Sequence, residues 1–437
     1  MRNTPLLSCR QHLATFFQGL GTWERAEYSL LVALAAVFPF SWRAGLWVMS
    51  LWLLAGVGRM VARRQHGNGY DAPVRRLLAL PMALFATYLL SMAYTERMAE
   101  GWDLLLKMLP IALVPCYLLV GKVGYLTPRR LRGVGYAFVV GSTLLGAAFL
   151  LAGLWRVVAK GTPIYLLHQT MGFVPHHTYA AMYFLVALSF LYLEHRGRGA
   201  AMPRARKAWM AASGALLALA AYGVQSRSGL ACLALWLLAA AMDVMLFRTR
   251  RRRGVALASL ALLLGAGALL LGGKSNRLAQ SIKTVFENKD RDVRVEIWSN
   301  AAQVIAQHPL LGVGAGDRFA ALEHHHERHF LPSPYYGWHP FNPHNQFLDA
   351  WLAAGLLAFL LTVTLFVWPA VHAWRSRPRR WLLLCFLVVV AVASLVECVL
   401  ARQMGIIFFA VAYSLLVVGG AAAQPRPSRP KHAKKRR

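Results

Sequence analysis

Acidic residues are scarce in this chain. Only 17 Asp and Glu stand against 48 Lys and Arg in 437 residues, and charged residues of both signs make up 15%. A soluble domain carries roughly 25% charged residues, so an ordinary soluble enzyme is excluded. A disordered chain is excluded too, because 57% of the residues are hydrophobic. Cysteine is sparse and odd in number: Cys9, Cys116, Cys232, Cys385 and Cys398, four of them inside apolar runs. They form neither a disulfide framework nor a zinc spacing. No internal repeat is apparent, and no cleavable signal is expected, because the first apolar segment starts past residue 25 and lacks a small-residue cleavage site. The net charge of +31 would suit a nucleic-acid-binding protein, but apolar runs of membrane length recur along the chain, so no nucleic acid partner is expected.

What is present fits an all-α, multi-pass integral membrane protein. A bilayer core of about 30 Å needs roughly 20 apolar residues in a helix. That window predicts about twelve spans, near 26–42, 44–62, 77–93, 104–120, 133–155, 177–193, 208–224, 228–247, 254–272, 346–372, 381–398 and 403–422. The connections then divide by charge. Thirty-two basic residues fall on one side with only five acids, Glu24, Glu27, Asp71, Glu194 and Asp243. Cytoplasmic loops carry such a Lys/Arg excess, so both termini are expected in the cytoplasm. The basic tail PRPSRPKHAKKRR reads as a segment facing the headgroups of the membrane lipids.

The predicted organisation is nine transmembrane helices in 1–272, a large outer loop over 273–345, three more helices in 346–422 and a basic tail over 423–437. A loop this long carries function or its own helices. Asp290 or Asp292 can cap a first helix reaching Gln307, with Val293, Ile297, Ala301 and Val304 on one face. His308-Pro309 ends it, Gly312 to Gly316 reads as a flexible turn, and Asp317 can cap a second helix running to about Phe330.

Few residues on the outer side can carry chemistry. Arg227 sits in the short turn Gln225-Ser226-Arg227-Ser228-Gly229, against the orientation bias for basic residues. Arg294 lies four residues before Trp298, on one helical face with it; Arg291, Arg318 and Arg328 are weaker candidates of the same kind. His344 stands where the loop re-enters the membrane, at a helix start whose positive dipole end favours a neutral ring, the form a general base needs. His325 and His329 have the four-residue spacing of two zinc ligands. The run Glu323 to His329 lacks the His-Glu-x-x-His arrangement, however, so a solvated face is the preferred reading. His176, His177 and His339 are further outer histidines, each weak alone.

Taken in order, the Ser-Arg-Ser-Gly turn, the Arg294-x-x-x-Trp298 pair, His308 to Gly314 and Pro343-His344-Asn345-Gln346-Phe347-Leu348 resemble the O-antigen ligase and O-antigen polymerase superfamily over about residues 210–420. The resemblance implies a GT-C-type glycosyltransferase in a bacterial inner membrane with its active site facing the periplasm. It also implies an undecaprenyl-diphosphate-linked O-antigen as donor, with lipid A–core oligosaccharide as the acceptor of a ligase. Arg227 and Arg294 match the family's basic residues, His344 matches its histidine, and Glu397 resembles an acid of its late helix. Trp298 and Asn345 complete the expected substrate contacts. Ala354 departs from the pattern, where an acid often precedes the glycine.

A diphosphate is already a good leaving group, so two arginines suit it as bidentate partners. The outer acids are scattered or interleaved with Arg and Lys, the Asp290-Arg291-Asp292 stretch of the large loop included, so no metal and no other cofactor is expected. A polymerase or a protein O-oligosaccharyltransferase shares this logic. A lipid or glycan transporter is the non-enzymatic alternative, but it should show two related halves with broken helices.

Overall fold

The structure is a computed structural model that describes residues 15–63, 70–121, 123–161, 176–247, 293–329, 342–376 and 380–421. Among these residues the chain is helical, with no β-strand. Ten helices belong to the bundle: α1 (Thr22–Val37), α2 (Trp42–Arg63), α3 (Ala72–Ser91), α4 (Met98–Val120), α5 (Pro128–Lys160), α6 (His177–Arg198), α7 (Arg204–Gly223), α8 (Arg227–Phe247), then α11 (Gln346–Arg375) and α12 (Trp381–Ser394). They are joined by α13 (Gln403–Ala421), and two shorter helices, α9 (Val293–Gln307) and α10 (Arg318–His329), lie between α8 and α11. The predicted span 254–272, the basic tail, Arg291 and His339 fall outside the described residues, as do the two proposed caps Asp290 and Asp292.

Among the described residues, six helices are long and apolar enough to cross a membrane: α2, α3, α4, α5, α11 and α13. The protein is a helical membrane protein. Its helix ends follow local chemistry. Thr127 caps α5 by accepting the Arg130 N–H, Pro128 supplies the first helical residue, and Gly161 ends the helix in a left-handed conformation. The centre of the bundle is α6, buried on all sides from Thr178 to Leu191, as expected of a helix that is apolar all round. Large apolar side chains such as Trp47, Leu54 and Val158 point outward instead.

Polar groups inside the bundle are paired. Arg59 of α2 and Glu27 of α1 form a fully buried ion pair. The hydroxyls of Tyr117 and Tyr125 also donate to Glu27, so the carboxylate is satisfied from three sides. Arg59 therefore ties two helices together rather than reaching out from a helix end.

Two features differ from the sequence reading. The predicted single span 346–372 is one helix by hydrogen bonding, but it breaks at Ala354 and Gly355, whose φ of −146° and +74° are non-helical. The glycine turn is not a flexible linker. Gly312 (φ +72°) and Gly355 face each other so closely that a Cβ on either would run into the other segment's backbone. The Val313 N–H donates to Leu352 O at 2.7 Å, the Leu356 N–H donates to Leu310 O at 3.1 Å, and the Trp351 indole donates to Pro309 O at 2.8 Å. The turn therefore docks into the break in α11, and each supplies hydrogen-bond partners that the other lacks.

Candidate functional site

The long loop is fastened to the bundle at three points. Asp317 does not cap its own helix with its side chain. Its carboxylate accepts the backbone N–H groups of Glu96 (2.8 Å) and Arg97 (3.0 Å), just before α4. Arg318, a weak candidate for chemistry, is buried instead and pairs with the fully buried Asp349 of α11 at 3.0 Å. Against α11, α9 and α10 pack through Ala301, Val304, Ile305, Leu322 and Leu352. Of the histidine run, His325 and His326 are buried, with His325 Nδ1 at 2.7 Å from Asn300 Oδ1. Among the residues of the run whose side chains are described, Glu323, His324 and Glu327 are exposed. The solvated-face reading holds for those three and fails for the other two, which are needed to seat α10 on α9. Among the described residues, no group of three His, Cys, Asp or Glu is placed to hold a metal ion.

The docked loop brings α9 beside the start of α11, where His344 sits. Asn345 is the N-cap of α11, its side-chain oxygen accepting the N–H groups of Phe347 (2.9 Å) and Leu348 (3.2 Å). The residue expected as a substrate contact thus uses its side-chain oxygen on the helix. His344 before it has a left-handed backbone, φ +46°. Its N–H donates to Asn342 Oδ1 at 2.8 Å, and Cys398 Sγ lies 3.0 Å from the same oxygen. From α9 the Trp298 indole donates to Pro343 O at 2.9 Å, while Gln346 Oε1 accepts the Leu400 N–H at 2.6 Å. Trp298 therefore buttresses the His344 segment.

Arg227 is presented by an equivalent device. Ser226 caps α8, its Oγ accepting the Gly229 N–H at 3.3 Å, which makes Arg227 the first helical residue. Gly229 lets α8 close on Ala181 of α6. Gln225, just before the cap, has φ +51°. Gln225 and His344 are the two non-glycine residues with positive φ among the described residues, and both line the same cavity. Left-handed backbone at a non-glycine residue persists only where its surroundings hold it, and it gathers at functional sites.

That cavity has a volume of about 330 Å³ and is lined by His177, Thr178, Gln225, Ser226, Arg227, Ser228, Arg294, Ile297, His344 and Val396. Arg227, Arg294 and His344 thus share one space, although they come from three separate segments. Behind His344 lies Glu397, in the non-helical turn after α12, with Oε1 at 3.8 Å from His344 Nδ1. Arg402 Nε approaches the same oxygen at 3.3 Å, and the Cys398 N–H donates to it at 3.2 Å. Burial alone would raise the Glu397 carboxyl, but the nearby His344 imidazole and the charges of Arg402 and His176 pull it down to about 2. Burial also pushes the His176 imidazole below its ordinary value, against the pull of Glu397. Arg402 was not among the expected site residues, and His177, weak by itself in the sequence, lines the cavity. Arg402 had a signal in the sequence, a charged pair Glu397…Arg402 between two apolar runs.

The arrangement offers two guanidinium groups for an anion, an imidazole for a proton and a fixed carboxylate behind the imidazole. No curated protein matches the chain. Residues 212–363 match the family model described as O-antigen ligase, a stretch that contains Arg227, Arg294 and His344 and ends short of Glu397. Over that stretch the chain is similar to the O-antigen ligase family.

Proposed function

We propose that the protein is an O-antigen ligase of a bacterial inner membrane, transferring O-antigen polysaccharide from undecaprenyl diphosphate to lipid A–core oligosaccharide. The observation that carries this reading is the convergence of Arg227, Arg294 and His344 on one polar cavity. In the proposed reaction the two arginines hold the donor's diphosphate, Arg being the side chain best matched to phosphate oxygens. An acceptor hydroxyl attacks the anomeric carbon from the face opposite the diphosphate. A new C–O bond forms, the bond to the diphosphate breaks with its electron pair leaving on the lipid diphosphate, and the hydroxyl proton passes to His344. The configuration inverts. Glu397 faces Nδ1 and favours the tautomer that leaves Nε2 open as the base.

Negative charge developing on the leaving group is met by fixed, permanently charged side chains in a confined space. Among the described residues, Glu397 behind His344 is already engaged by Arg402 and approached by His344, so the cation role is assigned to arginine and activity is expected to survive excess EDTA. The cavity end is proposed to face the periplasm and both termini the cytoplasm, in keeping with the basic residues gathered on the other side.

The test supplies the purified protein with undecaprenyl-diphosphate-linked O-antigen and different acceptors. Product formed only with lipid A–core supports the ligase. A ladder of longer lipid-linked chains without that acceptor identifies a polymerase, glycosylated protein identifies an oligosaccharyltransferase, and no product with any acceptor favours transport.

A further inference from the structure

At the end of the bundle opposite the catalytic cavity, a larger pocket of about 570 Å³ opens between α5, α6, α12 and α13. Four arginines line it, Arg132, Arg196, Arg198 and Arg380, with Glu194 as its one carboxylate. Two of the four are already neutralised. Arg198 pairs with Glu194 at 2.9 Å, and Arg196 pairs with Asp243 at 2.7 Å. Among the described residues, Arg132 and Arg380 have no carboxylate within 4 Å. Arg380 is buried, 5% exposed, and its recorded partner is the Val417 carbonyl at 3.5 Å. Its guanidinium lies over Gly420, where a Cβ would come within 2.7 Å of it.

The acids outside the described residues are Glu287, Asp290 and Asp292, which shortly precede α9 in the sequence. A buried cation among membrane helices needs an anionic partner. The pocket also has a hydrocarbon extension. It shares Leu131, Phe190, Leu382 and Leu415 with a crevice that reaches Phe138 and Phe408 and is apolar along its length.

We propose that this pocket holds an anionic phospholipid, its phosphate between Arg132 and Arg380 and one acyl chain in the crevice. A soluble phosphate compound would use the arginines and leave the crevice unfilled, whereas a zwitterionic lipid would fill the crevice and leave the charge unbalanced. Basic pockets between transmembrane helices recognise anionic headgroups on this principle.

Thermal unfolding of the full-length protein in neutral detergent tests the assignment, with dioleoyl phosphatidylglycerol, dioleoyl phosphatidylcholine and glycerol phosphate as separate additives. Phosphatidylglycerol is expected to raise the transition well above either of the others. In Arg132→Gln/Arg380→Gln its apparent affinity falls about tenfold or more. Arg380→Gln alone controls for folding: without lipid it is at least as stable as the parent, because a buried uncompensated charge is gone. Ala412→Phe fills the crevice, leaves the arginines in place and loses the lipid response. Equal stabilisation by phosphatidylcholine, a full response to glycerol phosphate, or undiminished phosphatidylglycerol binding in the double variant would each overturn the proposal.

Discussion

Glu397 is the residue through which the site's charge balance is most readily tested. Its folded value of about 2 lies below the ordinary value of 4.5. Ionisation of this carboxylate therefore stabilises the fold above about pH 4.5, and the contribution is lost as pH falls toward 2. In Glu397→Gln that contribution is absent, so the stability gap between parent and variant should narrow as pH drops through that window, read by thermal unfolding in detergent. Glu397 is also ionised throughout the working range. Any acidic limb of the pH–rate profile above about pH 5 should thus persist in Glu397→Gln, and its disappearance would show that Glu397 itself sets the limb. For the arginines, Arg227→Lys and Arg294→Lys should each fail to restore full activity, because an ammonium cannot make the bidentate contact. Alanine at either position should weaken donor binding and turnover together, measured as KM and kcat in the transfer assay. Arg227, Arg294 and His344 were legible in the sequence because each sits in a short polar motif between apolar runs. Arg402 showed only as a charged pair with Glu397, because its relation to His344 exists only once the α12–α13 turn folds against the start of α11.

At the scale of elements, the break in α11 holds the site together. Gly355 combines φ +74° with ψ −166°, a region that is essentially restricted to glycine. Gly355→Ala should destabilise the protein by about 1–3 kcal/mol from backbone strain alone, with further loss from collision with Leu310 O. Trp351→Phe removes the indole donor to Pro309 O and should cost about 1 kcal/mol. Both are read by thermal unfolding, and both should lower transfer activity, since the docked turn carries α9 and Arg294. The departure noted in the sequence, Ala354 before Gly355, falls at this break, where Ala354 is largely buried and the backbone carries the contact. Periodicity exposed the helices because burial on one face repeats along the chain. It was blind to the break, since Leu352 to Leu356 are apolar in either conformation. It was equally blind to Asp317, which looks like an N-cap by spacing but is drawn away to Glu96 and Arg97.

For the whole molecule, charge asymmetry is the feature the sequence displayed most openly, because 32 of the 48 basic residues gather on one side. The proposed topology is checked by a cysteine at Ser299, an exposed residue of α9. A membrane-impermeant thiol reagent should label it in cells with a permeabilised outer membrane, and labelling only after inner-membrane lysis would reverse the orientation. Less visible was how the bundle is closed at the cavity end, where contacts run between residues far apart in sequence, such as Trp298 with Pro343 and Gln346 with Leu400. The central claim is that this cavity performs metal-free glycosyl transfer with His344 as base. It is tested most directly by comparing purified parent and His344→Ala, both in excess EDTA, for transfer of lipid-linked O-antigen to lipid A–core at saturating donor. The account predicts an active parent and a turnover about 10²–10⁴ lower in the variant, with KM for the donor little changed. Full turnover in His344→Ala, or a parent that is inactive until a divalent metal is returned, would contradict it.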